Sequence, residues 1–228
     1  MAERTTTPAP ARAGPALRTD PSDEMAAQGR LLRTAARAVR VAVAGSSAVS
    51  YGVAESEDAP YLARARAEGI ATVARTTGGS GVLHLAGDLI WALVLPRDDP
   101  RVGRDFAKAY GRLGAGVVRG LRSVGIVASW RPAPGLAETY CPLSSRGEVL
   151  VVEGAIVGGA AQHLTGQALL HHGFVAHRVD RAAVERLFEL PSPGPSARLG
   201  GLAELDPALT PERLAEALQD GLTAERAD

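Results

Sequence analysis

The sequence predicts an α+β fold in which a mixed, largely antiparallel sheet is covered by helices. Helical and strand-like segments occur in blocks along the chain, which favours this class over a doubly wound parallel sheet. Three apolar segments of strand length follow one another over residues 149–176 with short glycine-containing breaks, which is typical of a meander. A chain of 228 residues with 46% apolar content can bury a substantial core.

Composition and charge narrow the class of protein. With 25 basic and 25 acidic residues the chain has no positive excess, so neither nucleic acid nor a membrane is an expected partner. One cysteine excludes an internal disulfide, and no apolar run is long enough to cross a bilayer or to form a signal peptide near Met1. These features predict a cytoplasmic protein. A single lysine, Lys108, stands among 24 arginines.

The N-terminal region predicts a tail followed by a helix. Residues 1–21 include four prolines and three consecutive threonines, which indicates a disordered tail before a single domain at residues 22–228. Ser22 is a candidate N-cap, because two acidic residues follow it and apolar residues then recur on one face. This helix is expected to continue to about Val39.

Apolar periodicity predicts the remaining elements. Short runs rich in Val, Ile and Leu indicate strands, and apolar residues at spacings of three and four indicate helices. Glycine after a helix and threonine before one mark helix ends. In chain order the predictions are a strand at 41–43, a helix at 58–68, strands at 70–74 and 89–95, a helix at 100–125, strands at 126–130, 149–153, 156–161 and 168–176, and helices at 181–188 and 211–222.

A glycine-rich segment, residues 75–81, separates two of these strands. Glycine permits positive φ and lets a ligand approach the main chain without an intervening Cβ, so a binding loop is predicted here. No Gly-Lys-Ser/Thr follows, and the spacing differs from Gly-x-Gly-x-x-Gly, so neither a phosphate loop nor a dinucleotide fold is indicated. A glycine-rich hairpin without a ligand is the alternative.

A family resemblance begins in this loop. The lipoate-protein ligase and octanoyltransferase family carries the motif Arg-Arg-x-Ser/Thr-Gly-Gly-Gly-x-Val-x-His, followed by Gly-Asn/Asp-Leu. The run from Arg75 to His84 and the triplet at 87–89 resemble that motif. Ala74 stands at the first arginine, and Ser80 stands at the third glycine.

The second half of the chain resembles the same family in order and spacing. The matching stretches are Cys141-Pro142, residues 151–154, residues 159–162 and residues 171–173. The resemblance covers about residues 23–222 and implies a class II biotin/lipoate ligase-type domain. It also implies substrate contacts from Arg75, Thr77, Gly78, Gly79, Ser80, Gly81, His84, Gly159, Ala161 and Gln162.

One departure from the family bears on chemistry. The residue six positions before Gln162 is a lysine in the family and is Ile156 here. A cation at that place would hold an acyl-adenylate or polarise an acyl thioester, which isoleucine cannot do. Arg75 is the candidate replacement.

Cys141 admits two interpretations. A lone cysteine in a cytoplasmic protein is most often a small buried hydrophobe. Its place resembles that of the acyl-accepting thiol in a cysteine-dependent branch of the octanoyltransferases, where His84, His171 or His172 would act as the base. The two adjacent histidines point to opposite faces of a strand, and no third ligand stands at a recognisable spacing, so no metal site is predicted. His163 and His177 are expected at the surface or satisfied in the core.

The leading hypothesis is attachment of a lipoyl or octanoyl group to a lysine of a lipoyl carrier domain, in a 2-oxoacid dehydrogenase E2 component or the glycine-cleavage H protein. A ligase would use free lipoate with ATP and Mg²⁺, whereas a transferase would take octanoate from acyl carrier protein through Cys141. Neither mechanism holds a cofactor tightly. The competing hypothesis is a degenerate family member that binds an acyl group, an adenylate or a carrier domain without turnover. Biotin-protein ligase ranks lower, because its Gly-Arg-Gly-Arg-type loop is absent from the sequence.

Overall fold

The computed structural model describes residues 17–103 and 106–224. The strands are β1 (Leu17–Thr19), β2 (Ala38–Ala44), β3 (Ala48–Tyr51), β4 (Ala71–Ala74), β5 (Val82–His84), β6 (Leu89–Pro96), β7 (Ala128–Pro132), β8 (Glu148–Val152), β9 (Ala155–Leu164) and β10 (Ala168–Val175). The helices are α1 (Pro21–Thr34), α2 (Pro60–Ala67), α3 (Phe106–Ser123), α4 (Arg181–Phe188), α5 (Leu202–Leu205) and α6 (Pro211–Thr223). The predicted α+β class is confirmed.

The larger sheet carries most of the core. Its seven described strands follow the order β1-β2-β6-β10-β9-β8-β7, with β1 parallel to β2 and every other neighbouring pair antiparallel. The predicted meander is confirmed in β8, β9 and β10, which pair consecutively. Helices α3 and α6 pack on each other over one face, and α1 contacts the sheet through β6 and β10.

The smaller sheet determines the path of the glycine-rich segment. Its described strands follow the order β4-β3-β5, with β3 parallel to β4 and antiparallel to β5. The segment at 75–81 therefore crosses the end of β3 instead of turning back as a hairpin, so the hairpin interpretation is wrong. Apolar periodicity identifies strands but not their partners, and it missed the short strand β5.

The N-terminal prediction also needs correction. Strand β1 pairs with β2, and the side chain of Asp20, not Ser22, caps α1 by accepting from the Ser22 backbone N–H at 2.8 Å. Helix α1 ends at Thr34 because Ala35 takes a left-handed φ of 53°. Residues 17–21 thus belong to the fold, whereas residues 1–16 of the predicted tail lie outside the described residues. The single domain at residues 22–228 stays a prediction.

The helices differ from their predicted bounds mainly at their ends. Helix α3 begins at Phe106 and not at Pro100, since Val102 closes a turn by donating its N–H to the Asp99 carbonyl at 2.9 Å. Within the described ranges, no helix has the length and apolar character that crossing a membrane requires.

Candidate active site

An apolar pocket lies between the two sheets. Its walls come from β3 and β5 of the smaller sheet and from β8, β9 and β10 of the larger one, and the turn at Cys141–Leu143 borders it. The pocket encloses about 470 Å³ of empty space, part of which is open to solvent. Ligand pockets in proteins commonly have this apolar character. The sequence-predicted residues Arg75, His84, Cys141, Gly159, Ala161 and His172 all line it.

Arg75 braces the glycine loop, which we define as residues 75–81. Its Nη2 donates to the carbonyl oxygens of Gly78 at 3.1 Å and Ser80 at 2.9 Å. Gly79 has a φ of 97°, a conformation that favours glycine. Gly52, just after β3, touches the loop so closely that any Cβ there would collide with the Gly79 carbonyl. The loop is therefore held in one shape from both sides.

Cys141 sits directly against this loop. Its backbone N–H donates to the Gly81 carbonyl at 2.8 Å, so the cysteine segment and the loop run side by side. A Cβ built on Gly79 would lie 3.0 Å from Cys141 Sγ and 3.2 Å from Arg75 Nη2. The thiol and the guanidinium therefore both lie next to Gly79 and close to each other. The pKa of the thiol lies above its ordinary value, because burial raises it more than the Arg75 charge and a backbone hydrogen bond from Ser80 lower it.

His84 is connected to Arg75 through Ser50. Arg75 Nη1 donates to Ser50 Oγ at 3.0 Å, and Ser50 Oγ lies 2.8 Å from His84 Nε2. Arg75 and His84 are the two described hydrogen-bond partners of the buried Ser50 hydroxyl, and arginine can only donate. Donation of the hydroxyl hydrogen to His84 Nε2 therefore leaves the fewest buried polar groups without a partner. The hydrogen of the neutral imidazole is then on Nδ1, which has no hydrogen-bond partner among the described residues. Burial and the Arg75 charge lower the pKa of His84 to about 3, so the ring stays neutral and is arranged to donate.

His172 has a different role in the same pocket. Its Nε2 lies 2.8 Å from Thr77 Oγ1 in the glycine loop, and its Nδ1 lies 2.6 Å from Gln28 Oε1 on α1. Glu24 continues this chain by accepting from Gln28 Nε2 at 3.2 Å and from Arg40 Nε at 2.7 Å. Since both ring nitrogens are engaged, His172 holds the loop against β10 and α1. Burial lowers its pKa well below the ordinary histidine value.

His171 points the other way, as expected for neighbours on a strand. Its Nδ1 lies 3.1 Å from Gln162 Nε2, and its ring meets the edges of Trp91 and Tyr110 on the side covered by α3. Neither His171 nor Gln162 is among the described residues that line the pocket. These two residues support the back of the sheet, so the expected contact of Gln162 with substrate is not supported by its position.

The other residues of the glycine loop, positions 77–81, are not among the described residues that line this pocket. Gly79 and Ser80 line a second, more polar pocket, and Arg146 lines both pockets. Gly81 allows close packing, because a Cβ there would collide with Phe188 and Tyr61. Ile156 is 4% exposed and packs in an apolar cluster with Val149 and Leu199, and it is not among the described pocket-lining residues. The cation expected at Ile156 in the family thus has no direct replacement on β9.

Among the residues of the site that the sequence did not identify, three bear directly on its chemistry. Ser50 and Gln28 hold the two pocket histidines, and Glu148 lines the pocket at the start of β8. A polar residue at the first position of an apolar strand was the available signal for Glu148. The other two sit inside ordinary strand and helix patterns. No cluster of three or more His, Cys, Asp or Glu side chains suited to a metal occurs in the described part of the chain.

Comparison with known proteins agrees with this fold. The sequence model of the lipoyl protein ligase A/B catalytic domain matches residues 20–223. The chain belongs to this family. Among relatives, octanoyltransferase LipM of Macrococcus caseolyticus is 30% identical over 139 residues, which are 57% of this chain and 49% of that protein. LipM of Bacillus subtilis is 30% identical over 129 residues, 53% of this chain and 46% of that protein. The chain therefore spans about half the length of these relatives.

Solved structures of the family share the architecture. A lipoate-protein ligase A bound with ATP superposes with a TM-score of 0.72 at 22% identity, covering 90% of this chain and 81% of that one. A bipartite lipoate-protein ligase from Thermoplasma acidophilum, studied with its E2 lipoyl domain, gives a TM-score of 0.68 at 20% identity, covering 90% and 80%. At such identity these likenesses establish the fold, and the biotin/lipoate ligase-type domain predicted from the sequence is confirmed.

Proposed function

We propose that this chain transfers an octanoyl or lipoyl group to a lysine of a lipoyl carrier domain, with Cys141 as the acyl-accepting thiol. One observation carries the proposal: Cys141 Sγ lies beside the buried Arg75 guanidinium at the edge of an apolar pocket. Family membership and the LipM relatives support the same reaction class. The carrier domain would belong to a 2-oxoacid dehydrogenase E2 component or the glycine-cleavage H protein, in the cytoplasm.

Arg75 offers the cation that Ile156 cannot supply. A thiolate is the nucleophile in acyl transfer, and it is also the group that leaves when the acyl chain moves on to lysine. A fixed guanidinium near Sγ stabilises that negative charge in both steps. Its hydrogen bonds to Ser50, Gly78 and Ser80 keep Arg75 in place, so little reorganisation accompanies the reaction.

The pocket suits the acyl chain. Small residues on β9, Gly159 and Ala161, leave space beside Val82 and Phe174, and apolar surface predominates in the lining. Burial of an aliphatic chain stabilises the complex by about 0.8 kcal/mol per methylene. His84 Nδ1–H, which has no partner within the described ranges, is suited to donate to the acyl carbonyl oxygen.

The test is the intact mass of the protein after incubation with octanoyl-acyl carrier protein. We expect an octanoyl adduct that hydroxylamine removes, because this nucleophile cleaves thioesters and leaves amides intact. The Cys141→Ser protein should carry no adduct. Addition of an apo lipoyl domain should then discharge the wild-type adduct onto the carrier lysine.

A parallel incubation separates the alternatives. Free lipoate with ATP and Mg²⁺ tests the ligase mechanism, in which an adenylate and not a thioester activates the acyl group. A Cys141→Ser protein that still lipoylates the carrier under these conditions would contradict the proposal and support a ligase. Binding of octanoate or the carrier without either reaction would instead support the degenerate binding module.

A further inference from the structure

The proposed transfer needs a group that accepts protons, and the histidines of the pocket are poorly arranged for it. His172 uses both ring nitrogens to hold Thr77 and Gln28. In the arrangement set by Ser50, His84 already carries a hydrogen on its remaining nitrogen. Burial lowers the pKa of His84 to about 3, which makes it a weak base at neutral pH.

Glu148 lies in the same pocket with an unused carboxylate oxygen. It is the first residue of β8, opposite Ala160 of β9, and it lines the pocket together with Cys141. Its Oε2 atom is buried and has no hydrogen-bond partner in the described part of the chain. A buried oxygen without a hydrogen-bond partner lowers the free energy of unfolding. Packing alone therefore does not explain why a carboxylate occupies this position.

The surroundings of Glu148 favour proton transfer. Burial raises the pKa of its carboxyl, which makes it a better base than an exposed glutamate. Burial, and to a lesser extent the charges of Cys141 and Glu148, raise the pKa of the Tyr110 phenol on α3 to about 12. The titratable and charged groups that share the pocket are Arg75, His84, Cys141, Arg146 and His172.

We propose that Glu148, and not a histidine, carries protons between Cys141 and its substrates. This inference rests on the proposed function. In the first half-reaction the thiol proton moves to the Glu148 carboxylate while Sγ attacks the thioester carbonyl carbon. A new C–S bond forms, the C–S bond to the donor breaks, and the departing thiolate takes the proton from Glu148.

The second half-reaction uses the same carboxylate. The acceptor lysine arrives as an ammonium and gives one proton to Glu148, and its free amine then attacks the acyl-cysteine carbonyl carbon. The C–N bond forms, the C–S bond to Cys141 breaks, and the second amine proton ends on the Cys141 sulfur. Glu148 releases the first proton to solvent, which balances the conversion of an ammonium and a thioester into an amide, a thiol and a proton.

The test measures the two half-reactions separately in single turnovers. Wild-type and Glu148→Gln proteins are acylated with octanoyl-acyl carrier protein, and the isolated octanoyl-proteins are then mixed with apo lipoyl domain across a pH series. We expect both steps to slow by about 10²- to 10⁴-fold in Glu148→Gln. The wild-type transfer rate should fall as pH drops through the raised pKa of Glu148, and this dependence should be absent from the variant.

Three further variants serve as controls for this result. Glu138, an exposed carboxylate whose Oε1 accepts from the Ser145 N–H at 2.9 Å, provides the matched variant Glu138→Gln, which should keep wild-type rates and pH dependence. His84→Gln should slow acylation but keep the acidic limb of the pH profile. Glu148→Asp should recover part of the rate, because a carboxylate is restored at a shifted position.

The outcomes separate this inference from the proposed function. If the wild type forms the thioester and Glu148→Gln keeps its rates and pH profile, Glu148 is not the proton carrier, while Cys141 remains the acceptor. If His84→Gln removes the acidic limb, a histidine is the base. A wild type that forms no thioester overturns both proposals.

Discussion

At the scale of single residues, Arg75 connects the loop, the thiol and the histidine. It reaches Ser50, Gly78 and Ser80 by hydrogen bonds and lies beside Cys141. Burial lowers the pKa of its guanidinium, yet arginine keeps its charge in proteins. Lysine would present a single ammonium with a more variable pKa, so the three fixed contacts favour arginine here.

Replacing Gly79 with valine is expected to abolish octanoylation of Cys141 while the protein remains folded. The Cβ of the valine would lie 3.0 Å from Cys141 Sγ and 3.2 Å from Arg75 Nη2. The added side chain would therefore push the thiol and the guanidinium apart. Its positive φ of 97° adds strain of about 1–3 kcal/mol for a β-branched residue. The rate of thioester formation, followed by intact mass, measures the effect, and urea unfolding checks the fold.

Gly78 provides the matched control for this loop. A Cβ built there meets nothing within 4 Å in the described structure, so Gly78→Ala should acylate within about twofold of the wild-type rate, a change of under about 0.5 kcal/mol. Octanoylation of Gly79→Val at the wild-type rate would show that the space between Sγ and the guanidinium is not needed.

At the scale of elements, glycines set the distance between α3 and α6. Gly120 leaves no room for a Cβ, which would collide with the main chain of Ala217, and Gly116 faces Leu222 at 3.0 Å. Each glycine lowers helix propensity by about 1 kcal/mol relative to alanine. The long helix therefore keeps residues that weaken it locally, because they allow close packing over the sheet.

Two alanine substitutions in α3 should change stability in opposite directions. Gly111→Ala adds a Cβ with nothing within 4 Å among the described atoms, so the free energy of unfolding should rise by about 0.5–1 kcal/mol. Gly120→Ala should lower it by about 1–3 kcal/mol, because the clash with α6 exceeds the gain in propensity. Urea denaturation of both variants measures this, and a stabilising Gly120→Ala would mean that the helices are not in close contact there.

At the scale of the whole molecule, buried ionisable groups control the response to acid. Burial lowers the pKa of His84 and His171 from 6.5 to about 3, and that of His172 also falls well below 6.5. The neutral histidines stabilise the folded protein fully above pH 6.5, their pKa in the unfolded chain. This stabilisation is lost as the pH falls toward their lower pKa values in the folded protein. Burial raises the pKa of Asp88 from 3.8 to about 7, so its contribution is complete below pH 3.8 and is lost as pH rises through 7.

The three histidines should outweigh the one aspartate. We expect the free energy of unfolding to fall between pH 7 and pH 5, with each histidine contributing about 1.4 kcal/mol per pH unit below its unfolded-state pKa. Urea titrations at several pH values measure how steeply the free energy of unfolding falls with pH. His171→Gln should make this dependence less steep by the contribution of one histidine. His163→Gln, at a partly exposed position on β9, serves as the control. Equal slopes for wild type and His171→Gln would contradict this assignment.

Much of the architecture was predictable because it depends on local patterns. Helices α3, α4 and α6 follow spacings of three and four, and the meander follows short apolar runs separated by glycine. The wrong predictions concern pairing and ends. The tail was predicted to reach residue 21 because β1 is too short and exposed to show periodicity, and its pairing with β2 is a tertiary contact.

The sequence by itself determined the fold class, the family and the glycine loop, because composition, periodicity and motif spacing are properties of the chain alone. Only the tertiary structure decided which residues meet. It placed Cys141 beside Arg75, turned His171 and Gln162 away from the pocket, and gave each pocket histidine a fixed partner. It also left one buried oxygen of Glu148, in the same pocket, without a hydrogen-bond partner among the described residues. These assignments depend on distances between strands and loops far apart in sequence, which no local pattern encodes.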